Sequence, residues 1–319
     1  MHAVLEELGK IGIVPVIKID NAENAVQMAR ALAAGGIPCA ELTFRTAQGE
    51  EAIRRIAREL PEVLVGAGTV LTTGMVDCAI DAGAKYIVSP GLNPKVVSYC
   101  IQKGIPITPG CANPSDIEQA LELCLDVVKF FPAEQAGGIE YIKAISAPYP
   151  NIKFIPTGGI NAGNIAKYIA FDRVLACGGS WMAGPDLINA GNFSAITALS
   201  REAVLNMLGY RVAHTGINAG SGVMDVARFF NGMFGFAVKD GAGSVFAGDS
   251  IEAVKNPAPG AHGHIAIATN SIVRAMAHLE RSGVVFDYAN AKKDADGNVI
   301  AIYMQEEILG FAVHLLQKK

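Results

Sequence analysis

Residues 11–44 read IGIVPVIKIDNAENAVQMARALAAGGIPCAELTF, and three signals in that stretch decide the fold. The run from Ile11 to Ile17 is short, apolar and rich in β-branched residues, the composition of a strand buried on both faces. Asp20 with Glu23 resembles a capping box and opens a helical segment. Cys39 to Phe44 is strand-like again. Strand, helix, strand is the repeating unit of a parallel sheet.

That unit recurs. Further strand candidates are VLVGAGTV from Val63, YIVSP from Tyr86, PITPG from Pro106, DVVKFFP from Asp126, KFIPTGGI from Lys153 and RVLACGGS from Arg173. They bring the total to eight, with starts 20–28 residues apart. Asn113-Pro114 marks another helix start, an N-cap followed by proline. Eight β-then-α units within about 205 residues predict an α/β fold, a (β/α)8 TIM barrel with few insertions. A doubly wound sheet competes, but no GxGxxG follows the first strand and no GxxxxGK[ST] occurs.

The chain has 319 residues, 51% of them hydrophobic and 18% charged. A usual charged share is ~25%, so there is ample material for large cores and disorder is excluded. The net charge of −4, from 26 basic and 30 acidic residues and without a basic stripe, argues against nucleic-acid binding. Glycine makes up 35 residues, an excess that points to tight turns or close backbone approach to a ligand. The start MHAVLEELGK carries Glu6 and Glu7 where a signal peptide needs a basic segment and an apolar run. No stretch reaches the roughly 18–20 apolar residues of a membrane span. The six cysteines, at 39, 78, 100, 111, 124 and 177, form no CxxC pair and read as buried thiols of a reduced compartment. A cytoplasmic protein is expected.

All six cysteines lie before residue 178, and five of the six histidines lie after residue 213. A helical stretch from Phe193 to Leu208 ends at Gly209, a residue suited to a helix C-terminus. These features place domains at 1–209 and 210–319. In the second, RVAHTGIN is strand-like, VMDVARFFNGMFGF helical, and FAVK, GSVFAG and SIEAVK are short β runs. GHIAIAT, the helical SIVRAMAHLERSG and the β runs VVFDYA, VIAIYM and FAVHLLQ repeat that order. The expectation is a smaller α+β domain of two βαβββ modules.

In a barrel the reacting groups stand at the C-terminal ends of strands. Glu41, Thr43 and Arg45 alternate with Leu42 and Phe44, so a two-residue period puts the three polar side chains on one face. Lys129 sits within Val127-Val128-Lys129-Phe130-Phe131-Pro132. Apolar surroundings strip a lysine of hydration, lower its pKa and free the amine as a nucleophile. A structural ion pair of Glu41 with Lys129 is the plainer alternative, and Arg45 on the same face weighs against it. Thr157-Gly158-Gly159 and Gly178-Gly179-Ser180 close strands seven and eight, where barrels often hold phosphate on backbone N–H groups. His2 is the lone histidine of this half, so neither a histidine triad nor a His-rich metal site can be built there. An amine, a carboxylate, a guanidinium and an anion cradle suit Schiff-base chemistry on a phosphorylated keto acid.

In order, the runs ELTFRT (41–46), GAGTV (66–70), SPG (89–91), KFFPAE (129–134), PTGGI (156–160) and CGGSW (177–181) resemble a known family. It is that of the 2-keto-3-deoxy-6-phosphogluconate and 4-hydroxy-2-oxoglutarate aldolases, over about residues 1–208. The resemblance implies a class I aldolase of the Entner-Doudoroff type, a homotrimeric lyase with no cofactor for the aldolase. Its small keto-acid substrate would yield pyruvate with glyceraldehyde 3-phosphate, glyoxylate or both. The resemblance makes Lys129 the Schiff-base lysine, Glu41 the general acid/base and Arg45 the grip on the pyruvyl carboxylate. Thr69, Pro90, Phe131 and Thr157 would line the substrate pocket, and Gly158, Gly159 and Ser180 would hold phosphate. A barrel isomerase or decarboxylase acting on a sugar phosphate would share the phosphate loops but has no use for the lysine–carboxylate pair. A non-enzymatic sugar-phosphate sensor is the other rival, told apart by pyruvate release.

The second half, in HTGIN, DVARFFNGMFGF and GHIAIAT, resembles the vicinal oxygen chelate (glyoxalase-like) domains over about 211–319. That resemblance implies a divalent metal on His214, Glu252, His264 and His314, the last standing where those domains commonly carry glutamate. Imidazoles with one carboxylate suit Zn, Ni, Fe or Mn. The alternative is a set of strand histidines in a domain kept for packing or oligomerisation.

Overall fold

Eight short strands carry the first half of the chain: β1 (Ile13–Ile17), β2 (Cys39–Thr43), β3 (Leu64–Gly68), β4 (Ile87–Val88), β5 (Ile107–Thr108), β6 (Val127–Phe130), β7 (Lys153–Pro156) and β8 (Cys177–Gly179). The structure, a computed structural model, describes residues 1–256 and 258–318, in two units that divide between Met207 and Leu208. In the first unit every ladder is parallel, in the orders β5-β4-β3-β2-β1-β8 and β6-β7. Single parallel bridges, Gly110 with Lys129 and Thr157 with Gly178, link the two sheets at both ends. Helices follow the strands, so this is an α/β fold. Both faces of each strand are covered, which is why β2 and β6 are buried at every position.

Local signals explain several helix starts. The Asn113 side chain accepts the Asp116 N–H at 3.1 Å, with Pro114 in the first helical position. The Asp20–Glu23 capping box does not form. Asn21 accepts the Glu23 N–H instead, while the Asp20 carboxylate is drawn to Lys18 at 2.8 Å and Asn189 at 3.2 Å. Four cysteines are buried as expected, but Cys78 and Cys124 are exposed. Cys78 lies on the helix Thr73–Asp81, and Cys124 has φ +58° just beyond the helix Pro114–Glu122. An apolar neighbourhood in sequence is not burial when the side chain turns outward.

In the second unit the strands are β9 (Arg211–Asn218), β10 (Val238–Asp240), β11 (Ser244–Ala247), β12 (Ile251–Val254), β13 (Gly263–Thr269), β14 (Lys292–Lys293), β15 (Val299–Tyr303) and β16 (Phe311–Gln317). They form one sheet in the order β10-β11-β12-β9-β13-β16-β15-β14. Antiparallel β9 and β13 lie at its centre, with β12 and β16 parallel to them on either side. Val223 and Ala227 of the helix Val223–Phe234 pack on Val245 and Ala253, which covers one face of β11 and β12. The expected strand VVFDYA is absent. Phe286 makes a single bridge to Met304, and the Asp287 side chain accepts the Asn290 N–H to close a short 3-10 turn. Asp-Tyr-Ala-Asn is turn chemistry despite the two valines before it.

Tyr86 shows how tightly the first unit is packed. Its ring is wholly buried against Gly66 of β3, where an added Cβ would stand 2.4 Å from the ring. Gly66→Ala is expected to cost about 1–3 kcal/mol through overpacking, read as a lowered midpoint in denaturant with an unchanged slope.

Candidate functional site

The Glu41–Lys129 pair is assembled by β2 and β6, strands of the two different sheets that are not paired with each other. Glu41 pairs in register with Val16 of β1 and Gly66 of β3, and Lys129 lies opposite Ile155 of β7. Their side chains are 4% and 6% exposed, and Lys129 Nζ is 3.7 Å from Glu41 Oε1. This is an ion pair too long to be a hydrogen bond, and Oε1 has no other partner among the described residues. One bridging oxygen fits such a gap. Gly68 lets the carboxylate sit there, since a Cβ at that position would stand 2.2 Å from Oε1. The Lys129 ammonium also lies 5.2 Å over the Phe131 ring.

Above the pair opens a cavity of about 340 Å³ lined by Arg45, Phe131, Thr157, Gly158, Gly159 and Ser180, with Lys18 and Val16 from β1 and its end. Thr157 also lines the narrow inner space that holds Glu41 and Lys129, so it is the wall common to both. Gly158 and Gly159 have φ of +101° and +79°, a turn that side chains disfavour. The amides of Asn161 and Asn164 donate to the Gly159 carbonyl at 3.2 and 3.0 Å and hold that turn. The glycines of β8 have a packing reason as well. A Cβ on Gly178 would meet Thr157 Oγ1 at 2.2 Å, and one on Gly179 would strike the Trp181 ring.

Arg45 lies just beyond β2, exposed, and its Nε donates to Thr69 Oγ1 at 3.2 Å. Thr69 itself has φ +59°, a strained position for a β-branched residue, and strain of that kind collects at working sites. Pro90 stands apart: it is exposed after β4 and lines neither cavity, its carbonyl packed against Gly110. Lining residues that escaped the sequence reading include Lys18 and Tyr86. Lys18 continues the alternation Val14, Val16, Lys18 along β1, a signal that was available. Tyr86 lines the inner space with a buried, unpartnered hydroxyl. Burial, more than nearby Cys39 and Glu41, pushes its phenol well above the usual range.

The second unit gathers a different set. Ladder register puts Glu252 and His264 opposite Gly216, and His214 and His314 opposite Ala266, so all four side chains share one sheet face. His214 Nε2 and His264 Nε2 lie 3.2 and 3.0 Å from Glu252 Oε2, and 3.2 Å from each other. Ligand atoms of His214, His264 and His314 fall within 4.8 Å of one another. Burial works to raise the Glu252 carboxyl, but hydrogen bonds from His214, His264 and Ser244 hold it well below the usual range. Burial, helped by His264, pushes the His314 imidazole down to about 4. Gly216 leaves the room, since a Cβ there would meet the His264 ring at 2.1 Å. The cluster opens into a cavity of about 350 Å³.

A parallel α/β fold with a buried lysine facing a carboxylate is the arrangement that an aldolase of the Schiff-base class requires. The family model "KDPG and KHG aldolase" matches residues 4–199, and the chain belongs to that family. The 2-dehydro-3-deoxy-phosphogluconate aldolase of Treponema pallidum is 50% identical over 204 residues, 64% of this chain and 97% of that protein. A KDPG aldolase from Legionella pneumophila, solved with pyruvate captured as a covalent carbinolamine, is 38% identical with a TM-score of 0.61, over 62% of this chain and 97% of that one. The aldolase of Zymomonas mobilis solved with 3-phosphoglycerate is also 38% identical, with a TM-score of 0.58, over 62% and 94%.

Gly68→Ala tests the pair without replacing either member. The added methyl displaces the Glu41 carboxylate, and a displacement near 1 Å costs roughly 100-fold in rate. Aldol cleavage, followed by pyruvate release, should fall by about that factor while the circular dichroism spectrum is kept.

Proposed function

We propose that the first unit is a (β/α)8 class I aldolase that releases pyruvate from 2-keto-3-deoxy-6-phosphogluconate, from 4-hydroxy-2-oxoglutarate, or from both. The observation that carries this reading is the buried Lys129–Glu41 pair. The ring of parallel ladders and bridges supports the barrel, and the pyruvate adduct of the Legionella relative supports the covalent route. From the family resemblance we carry over a homotrimer, a cytoplasmic location and no cofactor in this unit. Among the described residues no helix is long and apolar enough to cross a membrane.

The Lys129 amine adds to the C2 ketone, and loss of water leaves an iminium that can accept an electron pair. Glu41 takes the proton of the C4 hydroxyl, the C3–C4 bond breaks, and its electrons form the enamine of pyruvate as the aldehyde leaves. Glu41 returns the proton to C3, and water releases pyruvate and the free amine. Arg45 grips the pyruvyl carboxylate in a two-pronged contact, in reach of Thr69. Phe131 and Thr157 wall the substrate, and Gly158, Gly159 and Ser180 receive the phosphate at the mouth. Pro90, the other residue the resemblance puts at the pocket, lines neither cavity. Borohydride added with pyruvate should inactivate the enzyme and add mass to the peptide carrying Lys129. A label on another lysine, or a Lys129→Met variant that still cleaves, overturns the assignment.

For the second unit we propose a vicinal oxygen chelate domain of two βαβββ modules that binds a divalent metal on His214, Glu252, His264 and His314. The buried, unpartnered Nε2 of His314 and the space left by Gly216 fit an ion at this place. Three imidazoles and one carboxylate suit Zn, Ni, Fe or Mn, and such an ion supplies a Lewis acid. Glu252 is oriented by the Ser244 hydroxyl, which donates at 2.6 Å. Protein purified without an affinity tag should carry close to one equivalent per chain. Less than about 0.1 equivalent after soaking in Zn, Mn or Ni sinks the proposal.

A further inference from the structure

Charge at the mouth of the first unit is divided unevenly. A phosphate monoester carries −1.5 to −2 at neutral pH. Gly158, Gly159 and Ser180 offer it only neutral N–H and O–H donors. Two cations line the same cavity. Arg45 is tied to the β3 side through Thr69 and faces the pyruvyl carboxylate in the aldolase reading, on which this inference rests. Lys18 stands on the other side. It follows β1, and β1 pairs with β8 so that Pro15 lies opposite Gly179. One step further along that register is the Ser180 loop. The two-residue period that points Val14 at the inner space and Val16 at the mouth sends Lys18 to the mouth as well.

The ammonium is available. Its partner is Asp20 at 2.8 Å, in a pair with side chains 47% and 41% exposed. Pairs so exposed are worth little, so an arriving dianion can take the cation over. Asn189 holds the other oxygen of Asp20 at 3.2 Å, which fixes the carboxylate and parks Lys18 beside the opening.

We propose that Lys18 is the specificity-determining cation for the phosphorylated substrate. Its ammonium pairs with the phosphate held by the Gly158-Gly159 and Ser180 loops. The unit accordingly prefers glyceraldehyde 3-phosphate to an aldehyde without phosphate.

The synthetic direction isolates the phosphate, with pyruvate and either glyceraldehyde 3-phosphate or glyceraldehyde as substrates. A charge-assisted hydrogen bond is worth enough that Lys18→Met should raise KM for the phosphorylated aldehyde about tenfold or more. The preference, taken as the ratio of the two kcat/KM values, should fall by a similar factor, and Lys18→Arg should restore it. Titration calorimetry with inorganic phosphate reads the same contact without turnover, and Lys18→Met should weaken that binding about tenfold. An unchanged ratio of kcat/KM, or phosphate bound equally by both proteins, overturns the proposal. If borohydride fails to trap pyruvate on Lys129, the aldolase reading falls, whereas a Lys18-dependent phosphate titration would still uphold the cation's role.

Discussion

Placing a lysine and a glutamate together inside a protein is the constraint around which the first unit is arranged. Taking both groups out of water costs several kcal/mol each, and their mutual attraction offsets this only if the geometry holds. Here the geometry comes from backbone ladders, since β2 is clamped between β1 and β3 and Lys129 is bridged on one side and paired on the other. Glycine at 68 and tyrosine at 86 shape the space, one by absence and one by bulk. The pair stands at 3.7 Å, beyond hydrogen-bond distance, with Glu41 Oε1 buried and without a hydrogen-bond partner among the described residues.

Much of this was legible before any coordinates. The spacing of eight apolar runs located every strand of the first unit, because buried parallel strands write themselves as continuous apolar stretches broken only where chemistry intrudes. Glu41 and Lys129 were visible as those interruptions. Pro90 was expected in the substrate wall and lines neither cavity, because a motif match says where a residue lies along the chain and not which space it borders. Lys18 was missed for the opposite reason: a lysine just past a strand reads as an ordinary solvated end. Asp20 was misassigned because the competition between a cap and two side-chain partners is decided in three dimensions.

The second unit was harder to read. Strands two to four residues long carry little periodicity, and VVFDYA had β-branched residues in a segment that Asp287 turns. The four polar residues were named from the family resemblance alone, and it is the ladder register of β9, β12, β13 and β16 that puts them on one sheet face. Antiparallel pairing of β9 with β13 at the centre brings residues 50 apart in sequence to within hydrogen-bond distance. No local pattern announces such a distance. It follows from sheet order.

Thr157 belongs to both the inner space and the mouth, and its hydroxyl fills the gap that Gly178 leaves. A change at that position is felt at the pyruvyl end and the aldehyde end of a substrate together. Lys18 borders the mouth alone, just past the end of a different strand and with its own exposed partner. For a lineage shifting from one aldehyde to another, β7 is therefore a poor place to vary, and the end of β1 is where drift can proceed without disturbing the bond-breaking groups.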